Sequence, residues 1–461
     1  MDPRFLAHNA HLDDPAGFAK LDPHLRLLAK QPLVHQPALL AELPLGKPGI
    51  YSIAGGRQIG KTTLLKQWME LLLKKGVTPQ NIAFFSGELI DDHHALVNLI
   101  SMHLEGRTGI QYLLLDEVSY IHEWDKGVKY LADAGMLEKA VLVLTGSDSA
   151  FIQEARMRFP GRRGRSEKVD FHLYPLNFRE VVDLKQALKP KERTALAAPG
   201  VEVSTAIVEK LFAEFEQYMV HGGFLTAIND MARDHSIAPA TLAIYSDWIR
   251  GDVLKRGKQE SYLREILAAI LKRQGSQVTW NNMAQDLSID HPKTVADYVT
   301  LLASMDVMII QAALMEDKLT EAPKKPRRLH FADPFIHHAV VNWLRPAKDP
   351  FNQIIMPSLR EPEASSRLAE SVAVAHVRRR FPTYYIKAEG EVDIAYIEGR
   401  RFQPVEVKWT GQMRPKDLKQ VKKYANARIW TRQTGFAPIH DIPAEPLPVA
   451  LWRMENSTEN K

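Results

Sequence analysis

The sequence predicts an α/β protein built on a mostly parallel sheet, extended by a helical region and further small domains. From Ile50 to about Phe178, short apolar runs alternate with amphipathic stretches, the pattern of strands covered by helices. Between about Glu180 and Glu260 the strand signal stops, and the spacing of Leu211, Phe215, Tyr218 and Met219 is that of a helical lid. At 461 residues the chain exceeds one ordinary core, so roughly three domains are expected.

The candidate strands are Ile50 to Ala54, Ile82 to Phe85, Tyr112 to Asp116 and Val141 to Thr145, with helices in the gaps. A Gly222-Gly223 pair interrupts the helical region. The segment from about Ser261 to Leu344 reads as three short helices and then two strands closing on the basic stretch Lys324 to Arg328, a winged-helix pattern. Pro346, Pro350, Pro357 and Pro362 then mark a boundary before a last region of different pattern.

Apolar and charged fractions of 45% and 25% are those of a globular chain. Cysteine is absent, which excludes disulfides, zinc-thiolate sites and thiol nucleophiles and leaves oxygen and imidazole for any metal. The first residues lack a basic segment followed by an apolar stretch, and no apolar run approaches bilayer-spanning length. The expectation is a cytoplasmic protein without a membrane partner. The net charge of +5 is small for this length, but basic clusters stand at Arg162 to Arg165, Lys324 to Arg328, Arg378 to Arg380 and Lys416 to Lys423. Solvated faces account for any one of them equally well.

Gly55-Gly56-Arg57-Gln58-Ile59-Gly60-Lys61-Thr62 fits G-x-x-x-x-G-K-[ST] between an apolar strand and the helix opened by Thr63-Leu64-Leu65. Its glycines let the backbone curl until successive N–H groups and the helix N-terminus face a triphosphate. Lys61 would neutralise charge near the β and γ oxygens, and Thr62 would ligate Mg2+. Leu113-Leu114-Leu115-Asp116-Glu117 supplies the expected partner, with Asp116 directed to the metal and Glu117 to the attacking water. The next strand ends in Gly146-Ser147-Asp148-Ser149, where Ser147 or Asp148 would sense the γ-phosphate; an ordinary helix cap fits Asp148 or Ser149 equally. Arg162, Arg163 and Arg165 follow, and an arginine here, with Arg162 as the candidate, would act as a finger on a neighbouring copy's nucleotide. That implies a homo-oligomer.

Together with Trp124, Thr145-Gly146-Ser147, Pro160-Gly161-Arg162 and Pro175-Leu176-Asn177-Phe178-Arg179-Glu180, these motifs resemble the prokaryotic AAA+ ATPases of the archaeal-ATPase type that carry a winged helix and a C-terminal restriction-endonuclease-like PD-(D/E)XK domain. Gly56 stands where that family usually has proline, and Leu225 likewise. The resemblance implies ATP and Mg2+ as cofactors and five segments. These are an N-terminal helical leader (1–45), a P-loop AAA+ core (46–180), a helical lid (181–260), a winged helix (261–345) and a nuclease-like α/β domain (346–461).

In that last segment Glu391 to Tyr396 and Pro404 to Trp409 read as a hairpin. Strand alternation puts Glu406 and Lys408 on one face, with Asp393 brought beside them. Asp393 and Glu406 would form a hard-oxygen site for a second Mg2+ or Mn2+, and Lys408 would orient water. The resemblance adds Glu370 to the metal set and matches Gln420 to a polar residue on the following helix. Ion pairing of Asp393 and Glu406 with Lys408 or Lys387, without cleavage, is the competing reading. His291 to Tyr298 would open a recognition helix, with Lys293, Thr294, Tyr298 and the Lys324 to Arg328 wing facing DNA; packing against another domain competes with this. The sequence thus points to ATP hydrolysis coupled to DNA binding and metal-dependent DNA cleavage. The alternatives are an ATP-dependent signalling or defence switch whose last domain does not cut, and a ring-forming translocase or branch-migration motor.

Overall fold

Each of the four candidate strands of the first third of the chain becomes a strand in the computed structural model, which describes residues 1–147, 151, 157, 159, 161, 163, 164, 166–198, 203–289, 291–409 and 418–455. The strands are β1 (Gly49–Ala54), β2 (Ile82–Ser86), β3 (Gln111–Asp116), β4 (Ala140–Gly146) and a short β5 (Asp170–His172). They form one parallel sheet in the order β2-β3-β4-β1-β5. Both faces are covered, so both parities of β2, β3 and β4 are largely apolar. Tyr51, Ile53, Leu114 and Val143 pack against Leu64, Leu65, Trp68 and Leu72 of the helix Lys61–Lys74. Ile50, Leu113, Leu115, Leu142 and Leu144 pack on the other face with Leu96 and Trp124, from the helices His93–Leu104 and Trp124–Asp133.

The N-terminal leader is part of this packing. Phe5 and Phe18 are fully buried, one on each face. Asn9 makes a pair of backbone-like bonds to the edge strand β2, its Nδ2 donating to the Phe84 carbonyl and its Oδ1 accepting from the Phe84 N–H, both at 2.8 Å. The backbone groups that Phe84 would otherwise present at this edge are thereby satisfied.

The chain divides into two compact units, Met1–Tyr174 with Ser304–Asp306, and Pro175–Ala303 with Val307–Lys461. The second begins with the helix Phe178–Leu184, whose Asn177 and Glu180 form a capping box. The long helices Thr205–His221 and Pro239–Lys255 follow. Gly222 and Gly223 end the first of these because nothing larger fits. A Cβ on Gly222 would lie 1.7 Å from Asp333 Oδ1, and one on Gly223 would lie 2.1 Å from the Leu176 carbonyl oxygen.

Helices Glu260–Arg273, Trp280–Gln285 and Pro292–Ser304 then accompany a small antiparallel sheet of β6 (Gln277–Val278), β7 (Met308–Gln311) and β10 (Arg327–Phe331), with a hairpin of β8 (Leu314–Met315) and β9 (Thr320–Glu321) between. The sequence pattern puts two strands ahead of the basic stretch. Instead Arg327 and Arg328 lie inside β10, the central strand, which is paired on both sides. The C-terminal region is a mixed sheet in the order β11 (Thr383–Lys387), β12 (Glu391–Glu398), β13 (Arg401–Lys408), β14 (Arg428–Thr431) and β15 (Ala444–Pro446). Its first three strands are antiparallel and its last pairs parallel, with the helix Pro362–Arg378 packed on β11, β12 and β13. Among the described residues no helix is long and apolar enough to cross a membrane.

Candidate functional site

In the first unit three neighbouring strands, β3, β4 and β1, deliver polar groups to their C-terminal ends, where open α/β sheets bind ligands. β1 runs into Gly55, whose close approach to the Leu173 carbonyl, 2.5 Å from a would-be Cβ, admits no side chain. Gly60, at φ 101°, caps the helix Lys61–Lys74 without any side-chain bond, so the first N–H groups of that helix have no capping acceptor. Lys61 is buried, and its Nζ donates to the carbonyls of Gly55 (2.9 Å) and Gly56 (3.1 Å) and lies 3.2 Å from Glu117 Oε1. Between them, Arg57 donates to the Tyr120 hydroxyl at 3.1 Å, Gln58 takes φ 58°, and Ile59 packs into the core; Thr63 is half-buried on the first helical turn.

Asp116 at the end of β3 accepts from Thr62 Oγ1 and from Thr145 Oγ1, both at 2.6 Å. Thr145 Oγ1 in turn accepts the Glu117 N–H at 2.8 Å. Glu117 adopts φ 51°, unusual for a residue with a side chain, and its Oε2 is buried with no hydrogen-bond partner among the described residues. These residues fit a magnesium nucleotide. Lys61 and the loop N–H groups suit phosphate oxygens, while Thr62 and Asp116 offer hard oxygens already held together. Bound Mg2+ with ATP would supply the scissile phosphoanhydride and its charge neutralisation; the chain supplies the donors, the metal oxygens and the Glu117 carboxylate, whose Oε1 pairs with Lys61 and whose Oε2 has no hydrogen-bond partner among the described residues.

Ser147 is buried at the end of β4. Asp148, Ser149, Arg162 and Arg165 lie outside the described residues. Arg163 is not positioned to reach another copy: its Nη2 bonds Ser52 Oγ (2.7 Å), Asp170 Oδ1 (2.6 Å) and the Val169 carbonyl (3.1 Å), inside the sheet edge.

In the second unit the expected carboxylates do converge. Asp393 Oδ2 accepts from the Val407 N–H (3.0 Å), Glu406 Oε1 pairs with Lys408 Nζ (2.7 Å), and the Asp393 N–H points to Glu406 Oε2 (3.4 Å). Glu370 arrives from the helix Pro362–Arg378. The occupant of the cluster is not one the sequence predicts. The Arg328 guanidinium, from β10, lies 2.9 Å from Glu370, 3.0 Å from Asp393 and 2.5 Å from Glu391, with its side chain 5% exposed. Burial alone would lower the Arg328 pKa, but the Glu370, Asp393 and Glu391 charges outweigh it and raise it. Burial and then the Asp393 charge push Glu370 and Glu406 up, against the nearby cations. Among the described residues no group of three or more His, Cys, Asp or Glu side chains is disposed to hold a metal ion, and the Arg328 guanidinium stands among the carboxylates expected to take the second cation. Gln420, the other candidate there, is buried, accepting from the Gly390 N–H and donating to the Tyr424 hydroxyl.

Residues 47–182 match the family model described as an AAA domain, and residues 212–347 match one described as a domain of unknown function. The first of these segments, residues 47–182, is similar to an AAA-type P-loop ATPase domain. An uncharacterized protein of Haemophilus influenzae is 24% identical over 262 residues, covering 54% of this chain and 59% of that protein; the match thus spans under two thirds of the relative's length. Among solved structures, the Walker-type ATPase of Pyrococcus abyssi is similar at 12% identity over 63% of this chain and 91% of its own, with a TM-score of 0.39. The Aeropyrum pernix ORC1 protein in complex with DNA gives 13%, 75%, 94% and 0.31, and the Thermotoga maritima RuvB Holliday junction branch migration motor gives 17%, 59%, 84% and 0.28.

Thr145, quoted above within the motif Thr145-Gly146-Ser147 but given no role there, is brought by the structure against Asp116 and Glu117. A threonine closing an otherwise apolar strand is the available signal. In the second unit, Lys293 is exposed at the start of its helix and Thr294 half-buried. Tyr298, expected to face DNA, points inward instead: it is buried, its hydroxyl accepting from the Gln259 N–H at 2.7 Å. Arg328, expected in a wing, is likewise buried. Nothing in the local pattern distinguishes it from Arg327, because its partners come from the distant residues Glu370, Glu391 and Asp393.

Proposed function

We propose that the chain hydrolyses ATP with Mg2+ and couples the nucleotide state to nucleic-acid binding by its second unit. The observation that carries the first half is the set of linked groups Lys61, Glu117, Asp116, Thr62 and Thr145. It holds a cation for the phosphates, two oxygens for a metal and a carboxylate for the attacking water in one place. Nucleic-acid binding is supported by exposed Lys293, Lys324 and Lys325 beside a helix-rich fold with a β-hairpin. Phosphate release and nucleotide binding test it together. Lys61→Ala is expected to lose binding. Glu117→Gln is expected to keep binding and lose about 10²-fold or more in turnover. Binding unchanged in Lys61→Ala would end the proposal. Lys293→Glu is expected to weaken duplex binding, and the loss should shrink as salt rises.

A second reading, the switch that does not cut, is favoured by Arg328. An arginine with three carboxylates takes the place a divalent cation needs, so the C-terminal region recognises rather than cleaves while that contact stands. Removing the cation from a buried cluster leaves uncompensated carboxylates, at a cost of about 3–5 kcal/mol. Arg328→Ala should therefore melt lower than the parent, and Mn2+ should restore its melting temperature without moving that of the parent. Metal-dependent cleavage by the parent, abolished in Glu406→Ala, would reject this reading in favour of a nuclease.

A further inference from the structure

Two basic clusters far apart in sequence line one cavity of the second unit. Its volume is about 670 Å³, within the ~300–1,000 Å³ span of ligand pockets. Lys325, Arg327, Arg378, Arg379 and Arg380 line it against one carboxylate, Glu321. Strand alternation explains how β10 serves two purposes: Arg328 turns to the carboxylate cluster, and its neighbour Arg327 turns to this cavity.

The electrostatic contrast between these neighbours is large. Arg328 has three carboxylates. Arg327 Nη2 donates to the Pro323 carbonyl (3.3 Å), Lys325 Nζ to the Lys387 carbonyl (2.8 Å) and Arg378 Nη1 to the Ile310 carbonyl (3.2 Å). Among the described residues none of these three pairs with an acidic side chain. Arg327 is further held with its guanidinium 4.7 Å over the Trp280 ring. Three cations gathered in a concavity with one carboxylate, Glu321, focus a net positive field and attract an anion. The half-buried residues Phe381 and Tyr384 line the same cavity, the Phe381 ring lying 4.9 Å from that of Tyr396, and aromatic residues beside basic groups are the chemistry that holds a nucleotide unit.

We propose that this cavity binds a phosphate ester carrying an aromatic base, with the phosphate on Lys325, Arg327 and Arg378 and the base against Phe381 or Tyr384. The source is either a nucleic-acid strand or a free mononucleotide. The first case rests on the nucleic-acid reading above and the second does not.

The test uses the full chain carrying Lys61→Ala, which removes the P-loop as a competing nucleotide site, and compares it with the same chain carrying Arg327→Glu and Arg378→Glu. Labelled oligo-dT is followed by fluorescence anisotropy over a salt series, and ADP binding by calorimetry. For a strand, the double change should weaken oligo-dT at least about tenfold and lower the salt slope by about 1.4, near 0.7 for each phosphate that is no longer neutralised. For a mononucleotide, ADP should bind the Lys61→Ala chain, and the double change should abolish this. The glutamine pair Arg327→Gln and Arg378→Gln should reproduce either effect more weakly, with a melting temperature near that of the parent, separating charge loss from misfolding. Oligo-dT and ADP binding both unaffected by these changes would overturn the proposal. So would oligo-dT binding that falls only with Lys293→Glu, which leaves the nucleic-acid reading standing. If neither oligo-dT nor ADP binds the Lys61→Ala chain at all, the cavity proposal fails, while the duplex titration of Lys293→Glu decides the nucleic-acid reading separately.

Discussion

At the residue scale, Thr145 shows how one hydroxyl can organise a site. It donates to Asp116 Oδ1 and accepts from the Glu117 N–H, so the carboxylate proposed for the metal and the backbone of the residue proposed for the water are held by the same atom. Thr145→Val keeps the shape and removes both bonds. Each such bond contributes about 1 kcal/mol, and misplacement of reacting groups costs more in rate than in binding. The expected outcome is a fall in kcat of about tenfold or more with nucleotide affinity nearly unchanged, measured by steady-state phosphate release beside calorimetry. A loss of affinity with kcat preserved would contradict this role. The motif residues Lys61, Thr62, Asp116 and Glu117 are legible in the sequence because each chemistry requires that residue type at that spacing. Thr145 is not, because its role depends on β3 and β4 lying side by side.

At the scale of elements, the leader and the P-loop helix are joined through a buried charge. Lys66 is 0% exposed, its Nζ 3.2 Å from Asp22 Oδ2 and 2.5 Å from the His8 carbonyl, and burial pushes its pKa down against the pull of Asp22. Asp22 also caps the helix Pro23–Leu28, accepting from the N–H groups of His24 and Leu25. Asp22→Ser keeps a capping oxygen and deletes the charge. A buried ammonium left without its partner costs about 3–5 kcal/mol, so denaturant unfolding of Asp22→Ser should show most of the loss seen in Asp22→Ala. A Ser variant as stable as the parent would mean that the cap, not the ion pair, holds the leader. Sequence pattern places helices here but does not show that they complete the core. The leader's apolar residues are too few and too irregular to declare which sheet face they cover.

At the scale of the whole molecule, the basic wing and the carboxylate hairpin belong to one compact unit. Gln311 Nε2 donates to the carbonyls of Tyr384 and Asp393, the Tyr385 N–H donates to the Ala312 carbonyl, and His376 Nε2 accepts the Phe178 N–H. A chain cut after Leu344 would strip Gln311 of Tyr384 and Asp393, and Arg328 of Glu370, Glu391 and Asp393, and uncover the surfaces that these residues bury. It is expected to be insoluble or to melt well below the intact protein, as judged by expression and thermal unfolding. A cut chain that stays folded at the parent's melting temperature would show that the two regions fold independently. By itself the sequence determined the parallel sheet, the phosphate loop and the two carboxylate-bearing strands, because strand periodicity and catalytic spacing are local properties of a chain. Only the tertiary structure decided what fills the C-terminal cluster and where the basic residues converge. An ion pair between Arg328 and Asp393, or a cavity shared by Arg327 and Arg378, is set by long-range packing that no local pattern encodes.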